Sequence, residues 1–142
     1  MIDVFVPGVP VPQGSAKAYV HGGRAVVTSD NARLRPWRST VTAAIAAIEP
    51  DVETGPVEVT LDFTFARPAS HFGKRGLRGT APDFPAVRPD IDKLCRAVMD
   101  ALSSVVWVDD RQVARLVASK RWPDEGEAPG ASIRVRRLAE TR

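Results

Sequence analysis

Between residues 57 and 65 the chain alternates without a break. Val57, Val59, Leu61, Phe63 and Phe65 stand at every second position, with Glu58, Thr60, Asp62 and Thr64 between them. Side chains of a strand point alternately to its two faces, so this segment reads as a β-strand with one apolar and one polar side. Two further segments carry the other period. Leu94, Ala97, Val98, Ala101 and Leu102 recur at the spacing of one helical face, which predicts a helix from about residue 92 to 103. Trp37, Val41, Ala44, Ile45 and Ile48 do the same for an earlier helix, with Ser29 or Asp30 as its cap and Pro36 as a source of a kink near its start.

Shorter signals fill the rest. Residues 2–6 alternate and then run into Pro7-Gly8-Val9-Pro10-Val11-Pro12-Gln13-Gly14, a strand entering a proline-rich loop. A turn at His21-Gly22-Gly23 pairs residues 17–20 with 24–28 as a hairpin. Residues 105–108 and 113–122 read as strands on either side of Asp109-Asp110, and Ile133 and Val135 mark a last strand after the turn at 123–130. Residues 50–56 form a linker. The expectation is a single α+β domain spanning residues 1–142, with two main helices packed on a small mixed or antiparallel sheet.

Composition narrows the setting. No apolar run approaches the roughly 20 residues of a membrane span, and the start of the chain has no signal-like basic and apolar regions, so no membrane partner and a cytoplasmic location are expected. The lone cysteine, Cys95, sits in the predicted helix and reads as a buried small apolar side chain. A net charge of +3 is modest, but its distribution is informative. Residues 67–89 lose all periodicity and hold Arg67, Lys74, Arg75, Arg78 and Arg88 against one acid, Asp83. This segment reads as an irregular substrate-facing loop whose cations grip phosphates.

Just beyond it stand Arg88-Pro89-Asp90-Ile91-Asp92-Lys93-Leu94 and, after the helix, Trp107-Val108-Asp109-Asp110-Arg111-Gln112-Val113. In an extended approach to the helix, Asp90 and Asp92 point to the same side, as they would not within it. A turn after the helix would bring Asp110 back beside them and complete a three-carboxylate pocket. Three such charges repel one another unless a cation lies between them. Hard cations such as Mg²⁺ prefer oxygen ligands, and no His or Cys cluster competes as a zinc site. Taken singly, each motif has a bland reading: an Asp-x-Asp before a helix serves as an N-cap, and an Asp-Asp as a turn. Asp109 reads as the residue that caps that turn.

The runs 89–102 and 106–113 resemble the signature of the RusA family of Holliday-junction resolvases. Supporting features are Pro10-Val11-Pro12-Gln13-Gly14-Ser15, His71, Lys120 and Pro129-Gly130. The resemblance implies that Asp90, Asp92 and Asp110 are catalytic acids holding Mg²⁺, for which Mn²⁺ could substitute. It implies a homodimer that nicks opposed strands of four-way or branched DNA, in recombination and repair, within a bacterial or phage-infected cell. Two positions depart from the family pattern: Lys93 replaces its usual Asn, and Arg96 its usual Lys. Arg96 becomes the candidate catalytic cation, with Lys120 as the other contender and an ion pair to Asp92 or Asp100 as the competing role for Arg96. Lys74, Arg75, Arg78, Arg88, Lys93 and Lys120 are the expected DNA-binding cations. The rival functions are a broader branched-DNA or flap nuclease using the same acids, and a non-catalytic DNA-binding module.

Overall fold

The structure is a computed structural model that describes residues 1–14, 16–29 and 31–139. Four strands form the main sheet. They are β1 (Ile2–Pro7), β4 (Val57–Thr64), β7 (Val113–Arg121) and β8 (Gly130–Arg137), in the order β1-β8-β4-β7. The β4 and β7 strands run parallel and the other neighbours antiparallel, so the sheet is mixed. The strands β2 (Ala16–His21) and β3 (Arg24–Ser29) make a separate hairpin across Gly22-Gly23. The two helices, α1 (Leu34–Ala46) and α2 (Ile91–Leu102), pack on each other and share one core with the inner face of the sheet.

The periodicities explain that core. Val57, Val59, Leu61 and Phe63 are fully buried on the inner face of β4, with Ile133 and Val135 beside them on β8. The α2 helix covers them with Leu94, Ala97, Val98, Ala101 and Leu102, and α1 adds Leu34, Trp37, Val41 and Ile45. Burying each large apolar side chain contributes about 1.5–3 kcal/mol, and removing one would leave a cavity besides. A polar tie fixes the helix pair: Thr42 Oγ1 donates to the carbonyl of Ala101 at 2.9 Å.

Four local expectations change. First, α1 begins at Leu34, after an N-cap, Arg33, that supplies no side-chain bond. Ser29 instead ends β3, and Asp30 lies outside the described residues. The preceding turn is held by Asn31, whose Oδ1 accepts from the Arg33 amide at 3.0 Å. Pro36 occupies the first turn of α1, where a missing N–H breaks no helical bond. Second, Ile48 is exposed, because the helix has ended at Ala46 and Glu49 turns the chain with φ 49°.

Third, residues 105–108 are a tight turn and not a strand. Ser104 adopts φ 71° and donates its amide to the Trp107 carbonyl at 2.7 Å, while the amides of Val105 and Val106 return to Leu102. Val106 and Trp107 are buried with no more than isolated bridges from Trp107 to Glu53 and Ser103 in place of a strand, and a short apolar run looks the same either way. Fourth, the basic segment 67–89 has structure of its own. A 3₁₀ turn at Ala69–His71 leads into a miniature hairpin of β5 (Phe72–Gly73) and β6 (Gly76–Leu77), with Lys74 and Arg75 at its tip. Arg67 Nη1 donates to the Pro82 carbonyl at 2.8 Å and stands 5.3 Å over the Trp122 ring, while His71 meets the same ring edge-on. His71 is therefore packed into the base of the loop.

Candidate active site

The first turn of α2 decides where two of the three predicted acids point. Asp90 is the N-cap, in extended conformation, and its carbonyl accepts the first helical bond from Leu94 at 3.1 Å. The helix starts at Ile91, about one residue earlier than expected, with Asp92 in its first turn. Residues two apart on a helix diverge, and the shared side expected of an extended Asp-x-Asp is lost. Asp92 lines a cavity of about 520 Å³ between α2 and β7, and Asp90 does not.

Asp110 lines that same cavity. It opens a 3₁₀ turn, Asp110–Gln112, that feeds directly into β7. Its placement is strongly constrained. The indole Nε1 of buried Trp107 donates to Asp110 Oδ1 at 2.8 Å. Asp109 caps the turn, accepting from the Arg111 amide at 2.9 Å, and Gln112 Oε1 accepts from the amides of Val108 and Asp109. The other end of the Gln112 amide donates to the carbonyls of Glu53 and Gly55, which fastens the turn to the segment before β4. One glutamine thus ties together three stretches of chain that hold Asp110 against α2.

The floor of the cavity is apolar, made by Ile91, Cys95, Met99, Leu116 and Ala118, and its polar rim is Asp92, Arg96, Asp100 and Asp110. Arg96 faces in beside the acids, and among the described residues it forms no ion pair with Asp92 or Asp100. Burial, with the nearby charge of Asp92, pushes the Cys95 thiol up to about 11 and keeps it protonated, so it offers no thiolate ligand. The donors are all oxygen. A hard divalent cation takes one or two protein carboxylates together with waters and substrate phosphate, and the pair Asp92 and Asp110 fits that demand. Among the described residues no group of three or more His, Cys, Asp or Glu side chains stands close enough to hold a metal ion. Asp90, exposed at the N-cap of α2, is not among the residues that line this cavity.

The predicted DNA-binding cations fall in distinct places. Lys74 and Arg75 are exposed at the hairpin tip, and Arg78 donates to the Phe72 carbonyl at 3.2 Å. Arg88 and Lys93 are exposed on either side of Asp90 and Asp92. Lys120 differs. Its ammonium donates to the carbonyls of Val87 at 2.7 Å and Pro89 at 2.9 Å, clamping the end of the basic loop to β7. Sequence reasoning missed Asp100 as a lining residue, although its four-residue step from Arg96 and eight-residue step from Asp92 place all three on one helix face. It also missed that Trp107 and Gln112 position Asp110.

The profile of the family described as Endodeoxyribonuclease RusA matches residues 7–136, and the chain belongs to that family of Holliday-junction nucleases. Over 142 residues the chain is also 27% identical to the uncharacterized protein YqaN of Bacillus subtilis (strain 168), with 97% of each chain covered.

Proposed function

We propose that this chain resolves Holliday junctions by Mg²⁺-dependent phosphodiester hydrolysis, acting as a homodimer in DNA recombination and repair in the cytoplasm of a bacterial or phage-infected cell. The observation that carries the reading is the convergence of Asp92 and Asp110, 18 residues apart in sequence, on one cavity beside the unpaired Arg96. When bound, Mg²⁺, or Mn²⁺ in its place, would supply Lewis acidity to the phosphoryl oxygens and make water a better nucleophile. Asp92 and Asp110 would hold the cation, with Trp107 occupying one oxygen of Asp110 and leaving the other available. Asp90, two residues before Asp92, would be the third acid of the site.

Arg96, one turn beyond Asp92, neutralises charge developing on the scissile phosphate. Lys74, Arg75, Arg78, Arg88 and Lys93 hold backbone phosphates around it, which gives affinity without reading sequence. Lys120 serves DNA binding through the loop end that it clamps. Exposed Leu116 and Val117 on the edge strand β7 support a partner subunit next to the cavity. Two matched sites would then meet a substrate of matching symmetry.

The deciding experiment incubates the protein with labelled four-way junction, flap and duplex DNA, with Mg²⁺ or with EDTA. Paired symmetric nicks in the junction, abolished by EDTA, are expected. Preferential flap cutting would instead make it a broader branched-DNA nuclease, and binding without any cutting a non-catalytic module. In the same assay Asp90→Asn is expected to keep junction binding and lose cleavage. Full cleavage by that variant removes Asp90 from the site.

A further inference from the structure

A second and larger cavity, about 1010 Å³, opens on the other side of α2, between its C-terminal half and α1. Its lining from α1 and the turn before it includes Asn31, Arg35, Arg38, Ser39 and Thr42. Arg35, Arg38, Ser39 and Thr42 stand three, one and three positions apart, which groups them on the polar side of the helix, away from the buried Trp37, Val41 and Ile45. Asp100 lines this cavity and also the acidic one, so the two adjoin along α2 with Asp100 at the seam. The distance along α2 from Asp92 to that seam is about 12 Å at 1.5 Å per residue.

The charge of the larger cavity points to its occupant. Among the described residues neither Arg35 nor Arg38 has an ion-pair or hydrogen-bond partner for its guanidinium. On strands β7 and β8, by contrast, Arg115, Arg121, Arg134, Arg136 and Arg137 all stand within 4 Å of a carboxylate. Two free guanidiniums three residues apart, with the Ser39 hydroxyl on the same face, suit a phosphodiester backbone that presents evenly spaced anions. A negative peptide could pair with the cations but would have no reason to run on into a cavity rimmed by three carboxylates. A DNA strand held at its scissile phosphate must leave that cavity, and the adjoining one provides its path.

We infer that the α1 face bearing Arg35 and Arg38 is a second phosphate-binding track, which holds the backbone of the DNA strand leaving the acidic cavity. The inference rests on the nuclease reading above. It is tested by fluorescence anisotropy of a labelled four-way junction in EDTA, across 50–200 mM salt, for the wild type, R35A/R38A, R35K/R38K and R134A. Each lost phosphate contact flattens the dependence of log affinity on log salt by about 0.9, so R35A/R38A should lose about 1.8 from the slope and roughly tenfold or more in affinity at low salt. R35K/R38K should keep the slope, and R134A, on the opposite face, should leave it unchanged. With Mg²⁺ present, R35A/R38A should raise KM for junction cleavage and keep kcat within about threefold, as expected for ground-state binding lost away from the reacting atoms. A folded R35A/R38A protein whose slope and affinity match the wild type overturns the track while leaving the nuclease reading intact. A wild type that neither binds nor cuts junctions overturns both.

Discussion

Strands β7 and β8 and the helical side of the molecule are both rich in cations, and they use them in opposite ways. On the strands, each arginine has a carboxylate. Arg136 and Arg115 both donate to Glu58, at 2.6 and 2.9 Å, and Arg121 bridges Asp62 and Glu127. Those bonds hold the carboxyls of Glu58 and Glu127 down at about 2 and the guanidiniums of Arg121 and Arg136 above their ordinary range, and a bond to Glu53 does the same for Arg137. On the helices and the loop, Arg35, Arg38, Lys93, Arg96, Lys74, Arg75 and Arg88 have no such partner among the described residues. A cation already neutralised at close range has little charge left to offer a phosphate, and one with no partner has all of it. Where the acids sit therefore decides which arginines are neutralised within the fold and which keep their full charge for an outside partner.

The comparison can be broken at several points. The largest effect is expected at Asp110. Asp110→Asn keeps an acceptor for Trp107 and removes only the charge, and it should lower junction cleavage roughly 10³-fold, as several kcal/mol of transition-state stabilisation are lost. Junction binding should hold. Cleavage within tenfold of wild type would place the cation elsewhere.

Trp107→Phe probes the layer behind. It deletes the donor to Asp110 Oδ1 and should weaken Mn²⁺ affinity, measured by titration calorimetry, by about 10–100-fold. An unchanged affinity in a folded variant would mean that the indole only fills space.

The smallest effect belongs to the strand side. Glu58→Gln should leave cleavage and the salt slope of DNA binding unaltered, and should lower the thermal midpoint at pH 7. The carboxyl of Glu58 is depressed in the folded chain, so its contribution is complete above the unfolded value near 4.5 and fades as pH falls toward about 2. The midpoints of wild type and variant should accordingly converge over that window. A gap that persists at pH 2 would assign the effect to packing, and altered DNA binding would erase the division between the two regions.

How far the sequence led depended on the range of the interaction involved. Strict alternation over 57–64 and the apolar face of 91–102 were plain, because each is imposed by local geometry on many residues at once. The turn at 105–108 was misread as a strand, since two buried residues cannot say whether a sheet or a helix end covers them. The site was half legible. That Asp92 and Asp110 line one cavity is foreshadowed by a motif on each side of one helix, whereas the absence of Asp90 from that lining goes with its place as the helix N-cap. Gln112 and Lys120 act through bonds to backbone carbonyls 59 and 31–33 residues away, and no pattern of side-chain types signals such a contact. Lys120 in particular looks in the sequence like any free cation.

That lysine gives the loop an unequal anatomy. With its ammonium donated to the peptide oxygens flanking Arg88, the end of the segment is moored to the sheet, while the bond from Arg67 to the Pro82 carbonyl ties its two arms together and leaves Lys74 and Arg75 presented at the exposed tip.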